Sequence, residues 1–305
     1  MAATTSPATT PLRLTRGRRA ALAVGVPVCL ALVGSTGLSL VANFAEGSYP
    51  VSYTAPATTK ALTLNMDGRL TITSTTASRA TLTGTARYTF IRPALTEHAA
   101  DGDTAVGYDC TIPVGNCELD AAVTIPATVT TLTAHSGSGD ATVTGTTGPV
   151  TLSTGDGNLN IGHASGPLTL NTDSGNIQVS AITSATLSAS SGQGDIRATG
   201  VASATITANT DSGSIDGSGI TTTAITASSG NGDIYITFAG APPRDIRVNT
   251  DSGNIVLLLP PGSTKYDVKA NTDNGSVSKQ LPQAASSDHV ITASTGNGNI
   301  TISQQ

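Results

Sequence analysis

NTDSGNIQV, residues 171–179, is the stretch on which the fold of this chain turns. Its first seven residues recur as HSGSGDA (135–141), STGDGNL (153–159), SSGQGDI (190–196), NTDSGSI (209–215) and SSGNGDI (228–234). Three more copies follow: NTDSGNI (249–255), NTDNGSV (271–277) and STGNGNI (294–300). The last glycines of the nine copies are Gly139, Gly157, Gly175, Gly194, Gly213, Gly232, Gly253, Gly275 and Gly298. They are 18 to 23 residues apart. A period near 20 residues is the mark of a solenoid, in which each repeat buries its apolar face against its neighbours.

With that glycine as position zero, the columns define the strands. Position −7 is aliphatic in every copy, from Leu132 to Ile291, and position −5 is alanine in six copies and Leu152, Leu170 or Val248 in the other three. Position +2 runs from Ala141 through Leu159 and Ile177 to Ile300. Position +4 is mostly apolar, with Gly217 and Lys279 as exceptions. A spacing of two on each side of the turn gives two strands per rung, each with one inward face. The expected architecture is all-β: a right-handed parallel β-solenoid of two sheets, each rung pairing with the next in sequence. At about 4.8 Å per rung it would be a rod roughly 40 Å long. Alanine at −5 makes the interior narrow, leaving no room for a ligand.

The turn has its own pattern. Position −2 is either Gly or Asp, and position −4 is Asn whenever −2 is Asp (Asn171, Asn209, Asn249, Asn271). Positive φ at −2 and zero is the expected reason for glycine, with a local side-chain hydrogen bond closing the Asn-x-Asp version. Position −3 is Ser or Thr in all nine copies. Its inward parity predicts a ladder of hydroxyls satisfying backbone groups at the corner.

Upstream of the repeats the composition changes. Residues 1–19 carry Arg13, Arg16, Arg18 and Arg19 and read as a basic cytoplasmic tail. Residues 20–43 are apolar and long enough to cross a bilayer, so an N-terminal transmembrane helix acting as a signal anchor is expected, with a cleaved signal peptide as the alternative. Residues 44–60 read as a linker, 61–126 as an N-terminal cap with irregular rungs, and 127–305 as the regular solenoid. Anchor orientation places the domain outside the cytoplasm, at the cell membrane, or secreted if the segment is cleaved. Beyond residue 43 the chain holds 20 acidic against 11 basic residues, a net of −9. That balance argues against nucleic acid as a partner. Given export, Cys110 and Cys117 are expected to pair, which chain-entropy reasoning values at roughly 2.5 kcal/mol; two free buried thiols are the alternative.

Chemistry-bearing constellations are few. The acids after the repeat glycines, Asp140, Asp195 and Asp233, lie too many rungs apart to share a calcium ion. They also lack the nine-residue period of calcium-binding rolls. Asp195, Arg197, Asp216, Asp233 and Tyr235 fall on three adjacent rungs and are the nearest approach to a polysaccharide-cleaving site. His98, His135, His163 and His289 share no column and show no metal-ligand spacing. A threonine column at −6, broken by Arg247 and Lys269, resembles ice-binding faces but is also the ordinary filling of an exposed β position. No cofactor, metal or catalytic residue is expected.

The rungs NTDSGNIQV, ASSGNGDIYI (227–236) and NTDSGNIVL (249–257), following an apolar segment, resemble the bacterial putative-adhesin family, a domain of unknown function in envelope proteins. The resemblance spans about residues 61–302. It implies an extracytoplasmic repeat module with an adhesin-like binding or structural role, meeting an unidentified cell-surface protein or glycan. A membrane-anchored envelope sensor and a polysaccharide-active β-helix enzyme are the alternatives. The chain ends at Ser303-Gln304-Gln305 with no evident cap, so the open edge of the last rung should be covered by distorted terminal rungs or by another molecule.

Overall fold

The computed structural model describes residues 46–108 and 117–305. Among them every regular element is a β-strand. Each glycine turn joins two strands that stack in register on the equivalent strands of neighbouring rungs. Val150–Thr154 lies parallel between Thr131–Ser136 and Leu168–Thr172, with Leu152 beside Ala134 on one side and Leu170 on the other. After the turn, Leu159–Gly162 lies between Ala141–Thr144 and the start of Ile177–Ser191. Farther along, Ile177–Ser191, Ile196–Thr210 and Ile215–Asn231 each run through the return corner, so one strand serves both sheets. The result is a β-solenoid-like stack of two parallel ladders.

The alternation of Thr or Ser with Leu, Ile and Val places the aliphatics inside. Val150, Leu152, Leu159 and Ile161 are all at most 2% exposed. Burying a side chain of this size is worth about 1.5–3 kcal/mol, repeated on every rung. The two exceptions at position +4 are both accounted for. At Gly217 an added Cβ would stand 3.1 Å from Ile220 Cγ1 and 3.3 Å from Ile236 Cγ2, so neighbouring isoleucines already fill the space. Lys279 lies on the outermost rung, where its Nζ donates to Val268 O at 3.1 Å.

At the corner, the buried hydroxyl of position −3 bridges two rungs. Thr154 Oγ1 donates to Gly139 O at 3.1 Å and accepts from the Gly157 amide at 3.1 Å. The same pair of bonds recurs at Thr172, Ser191 and Thr210, between Gly157 and Gly213. Ser229, Thr250 and Thr295 keep the donated bond, to Gly213, Gly232 and Gly253. There the amides of Gly232, Gly253 and Gly298 turn instead to the carbonyls of Ser252, Asn297 and Asn274.

The glycines are required by closeness, not by positive φ. Of the nine at position zero only Gly275 and Gly298 have φ above zero, at 158° and 157°, near extended backbone. A Cβ on Gly157 would sit 2.1 Å from Gly139 O, and one on Gly213 2.1 Å from Gly194 O. The stacked corners approach so tightly that a side chain has no volume. Nor does a local bond close the Asn-x-Asp turn: among the described residues no hydrogen bond joins Asn171 to Asp173 or Asn209 to Asp211. The polar side chains work between rungs, as Ser294 Oγ does in donating to Asn249 Oδ1 at 2.8 Å.

Rung order departs from sequence order at both ends. Strand Asp245–Ser252 pairs with Val290–Asn297, which pairs on its far side with Asp267–Asn274. In the second sheet Ile255–Leu259 pairs with Ile300–Gln304, and that strand with Val277–Gln280. The last repeat is therefore inserted inside the penultimate one. At the other end Ala61–Met66 and Leu70–Thr75 lie inside a rung made from Asp103–Tyr108 and Cys117–Pro126. Apart from the neighbouring glycines Gly137 and Gly155, the C-terminal exchange keeps position −2 alternating: Gly155, Asp173, Gly192, Asp211, Gly230, Asp251, Gly296, Asp273 in spatial order. Sequential stacking would set the carboxylates of Asp251 and Asp273 on adjacent strands about 4.8 Å apart, where like charges repel. The exposed edge is thus the 267–280 rung, whose Val277 is 38% exposed; Lys269 and Lys279 discourage further strand pairing there.

Antiparallel strands close the N-terminal end. Thr81–Thr89 pairs with Cys117–Pro126 and with Glu46–Thr54, and Leu95–Ala100 pairs with Asp103–Tyr108. Glu46–Thr54 therefore occupies most of the segment expected to be a linker. It joins the sheet because its alternate residues, Val51 among them, complete the cap core. The expected transmembrane segment 20–43 lies outside the described residues. So does Cys110; Cys117 is disulfide-bonded.

Two outcomes test this architecture. Thr210→Val keeps the shape but leaves Gly194 O and the Gly213 amide unpaired, so denaturant unfolding should show a loss of about 1–3 kcal/mol. The outward Thr207→Val should stay within about 0.5 kcal/mol. In native-state hydrogen exchange, amides of 290–302 should exchange more slowly than those of 267–280. A stack in sequence order gives the opposite ranking.

Candidate binding surface

Because the interior is filled, side chains able to meet a partner lie on the outward faces and at the ends. The outward column at position +3 carries the most varied chemistry. Arg197, Asp216, Tyr235 and Val256 are successive neighbours in register on the second sheet. Arg197 Nε stands 3.4 Å from Asp216 Oδ2. Tyr235 is 42% exposed, one of few large apolar or aromatic side chains left in water among the described residues. β-strand geometry holds these side chains at strand spacing on one face, so the column offers a cation, an anion, an aromatic ring and an aliphatic in line.

The five residues singled out by sequence separate into two groups. Arg197, Asp216 and Tyr235 meet on the surface. Asp195 and Asp233 do not join them, because position +1 belongs to a ladder along the corner. Asp140 Oδ1 accepts from the Asn158 amide at 2.8 Å, Asn158 Oδ1 from Asn176 at 2.9 Å, and Asn176 Oδ1 from Asp195 at 2.8 Å. Asp195 Oδ1 then accepts from Ser214 at 2.8 Å and Asp233 Oδ1 from Asn254 at 2.7 Å. Each carboxylate does what an asparagine does at the same position in other rungs: it satisfies the next rung's amide. A pair of carboxylates poised for glycoside cleavage is not assembled here, since Asp195 and Asp233 are two rungs apart and both engaged.

The histidines remain dispersed. His135 Nδ1 meets Ser153 Oγ at 2.9 Å, and His289 Nδ1 donates to Pro243 O at 2.8 Å. His163 holds a φ of 54° at a return corner, and His98 is exposed on an edge strand. Among the described residues no three His, Cys, Asp or Glu side chains are placed to hold a metal ion. The threonine stripe on the first sheet ends in charge: Arg247 pairs with Asp245 at 2.5 Å and Lys269 with Asp267 at 3.6 Å. A groove of about 370 Å³ runs along the return corner, lined by small residues including Ala202, Ser203 and Pro242, with Arg244 at one side. The open nature of that groove gives a ligand little enclosure.

The N-terminal cap carries an aromatic cluster that the repeat pattern does not mark. Tyr49 and Tyr88 meet edge to face at 5.9 Å, and the Arg92 guanidinium lies 3.8 Å from the Tyr49 ring centroid. Tyr108 is buried beside them, and burial pushes its hydroxyl pKa well up, with Tyr49 adding to the shift. Phe90 and Ile91 next to this cluster are 41% and 58% exposed. The run Phe90-Ile91-Arg92-Pro93 was a signal in the sequence, as two large apolar residues beside a cation are rare in this Thr-rich chain.

Residues 45–303 match the family model Toastrack DUF4097. The chain aligns with the structure of a putative adhesin from Bacteroides fragilis NCTC 9343 at 14% identity and a TM-score of 0.41, covering 85% of this chain and 97% of that one. A putative cell adhesion protein from Clostridium sporogenes ATCC 15579 aligns at 13% identity and a TM-score of 0.20, covering 84% and 100%. No curated protein matches significantly.

The ladder at position +1 depends on an acceptor oxygen, not on charge. Asp195→Asn should therefore leave the unfolding free energy within about 0.5 kcal/mol, whereas Asp195→Ala should cost about 1 kcal/mol. Equal losses for both variants would show that the carboxylate charge has a role of its own.

Proposed function

The chain belongs to the Toastrack DUF4097 family, and on that premise we propose that it is an extracytoplasmic cell-surface module with an adhesin-like binding role. In this reading residues 20–43 anchor it in the cell membrane, and a right-handed solenoid holds its outward face toward a glycan or protein of the cell envelope. The observation that carries the proposal is the ordered column Arg197–Asp216–Tyr235–Val256 on successive parallel strands. An exposed aromatic ring flanked by an ion pair suits recognition of a sugar's apolar face and its hydroxyls. Binding without turnover is favoured, because Asp195 and Asp233 are committed to backbone amides.

The full chain should bind isolated cell envelopes or cell-wall glycan, and Tyr235→Ala should weaken binding about tenfold, the effect of losing roughly 1.4 kcal/mol. Binding indifferent to substitution at Tyr235 and Arg197 would move the site elsewhere. Release of soluble fragments from the glycan would instead establish an enzyme.

A further inference from the structure

The cap carries an exposed apolar tip that neither the solenoid core nor the column at Tyr235 uses. Thr89-Phe90-Ile91 forms a tight turn in which the Ile91 amide donates to Thr89 O at 2.9 Å, with Phe90 at a φ of 69°. This is a γ-turn of the rarer positive-φ kind, strained for any side chain and most unusual for a bulky aromatic. Its consequence is to turn Phe90 and Ile91 outward together. The residues after them are held firmly: Tyr49 OH donates to Pro93 O, Arg92 stacks on the Tyr49 ring, and Pro93 is buried. The tip is a pre-formed wedge of two large apolar side chains beside a cation, on a loop whose base is fixed. Strained backbone and adjacent exposed apolar side chains coincide at this tip, as they do at contact sites.

Its position says what. In the antiparallel pair Glu46–Thr54 with Thr81–Thr89, Glu46 lies opposite Thr89, so the tip begins where the chain enters the described fold. Only three residue steps separate Glu46 from Asn43, the end of the apolar run. Fully extended they reach about 10 Å. The segment that could have served as a stalk is instead edge strand, so the cap has no long tether. We propose that Phe90 and Ile91 insert into the interfacial layer of the bilayer that holds residues 20–43, with Arg92 at the level of the lipid phosphates. This rests on the membrane-anchor reading above. Aromatic and aliphatic side chains beside arginine are the composition of interfacial contacts, with the guanidinium reaching phosphate while its stem lies along apolar surface. The contact would add a second point of attachment and so limit how far the rod tilts.

The chain contains no tryptophan, which makes a direct test available. Ile91→Trp, in the full chain reconstituted into phosphatidylcholine vesicles, provides a single fluorophore at the tip; Tyr235→Trp provides one on the binding face. Vesicle flotation after an alkaline wash reports the anchor independently of the tip. With the chain floating, Trp emission in the Ile91 variant should shift to the blue and be quenched by brominated acyl chains, while that of the Tyr235 variant should not. A floating chain whose residue-91 emission is unquenched overturns the proposal and leaves the anchor standing. So does a blue shift that grows with protein concentration without lipid quenching, the sign of a second copy on the tip. A chain that does not float overturns the anchor reading and this proposal together. Phe90→Gly, which relieves the positive φ, should leave the melting temperature unchanged or higher; a fall would show that the ring supports the fold and overturn its role as a wedge.

Discussion

The hydroxyl at position −3 is the constraint from which the rest of the stack follows. Placed in the dry corner, it donates to the glycine carbonyl of the rung before, and through Thr210 it also accepts the glycine amide of its own rung. A corner is where both ladders stop and backbone groups would otherwise be buried without partners. Serine or threonine supplies one donor and two acceptor lone pairs in the smallest available volume. The energetic asymmetry matters more than the gain. Each bond made is worth about 1 kcal/mol net, whereas each buried group left alone costs about 1–3 kcal/mol. Repeated along the stack, the hydroxyls hold successive corners at strand spacing. That spacing is what forbids a Cβ at position zero.

Tight corners and filled sheets have a functional corollary. A parallel stack with alanine and aliphatics interleaved inside offers a partner no chamber, so recognition must use what projects outward. The two faces differ in kind. One sheet displays a repetitive surface of threonine, serine and asparagine; the other gathers Arg197, Asp216, Tyr235 and Val256 in one line. The ends differ again, with an antiparallel cap of tyrosines at one and a lysine-guarded edge rung at the other. The acids after the repeat glycines, the most conspicuous charged feature of the sequence, serve the scaffold through Asp140, Asp195 and Asp233.

Rung exchange at the C-terminal end shows how a local rule and a global arrangement cooperate. From Gly155 onward neighbouring corners alternate Ser-x-Gly with Asn-x-Asp, which keeps aspartates two rungs apart, roughly 10 Å at strand spacing. The copies at 249–255 and 271–277 are both of the Asn-x-Asp kind, and the copy at 294–300 is of the other. Inserting 290–304 between them separates the carboxylates, and the longer connections at 260–266 and 281–289 give the chain room to skip a rung and return. Tyr266, fully buried, fills the space those connections cross, with His289 edge-on at 5.7 Å.

The alternation of aliphatic columns, the period and the buried serine or threonine determined the strands, their inward faces and the hydroxyl ladder by sequence alone. These are local properties, repeated often enough that each copy corrects the reading of the others. The reason for glycine at the corner was not legible, because a close approach between residues 18 or more positions apart leaves the same signature as a positive φ. Rung order left only a faint trace in the sequence, two successive Asn-x-Asp copies at 249–255 and 271–277, which has meaning once strands are seen as neighbours. The cap was least legible, since Glu46–Thr54 pairs with strands that occur once. Its fate, and the exposure of Phe90 and Ile91, depended on which edge remained open when the stack was complete. Pairing between distant, non-repeated segments is a property of the assembled sheet, and only the tertiary structure decided it.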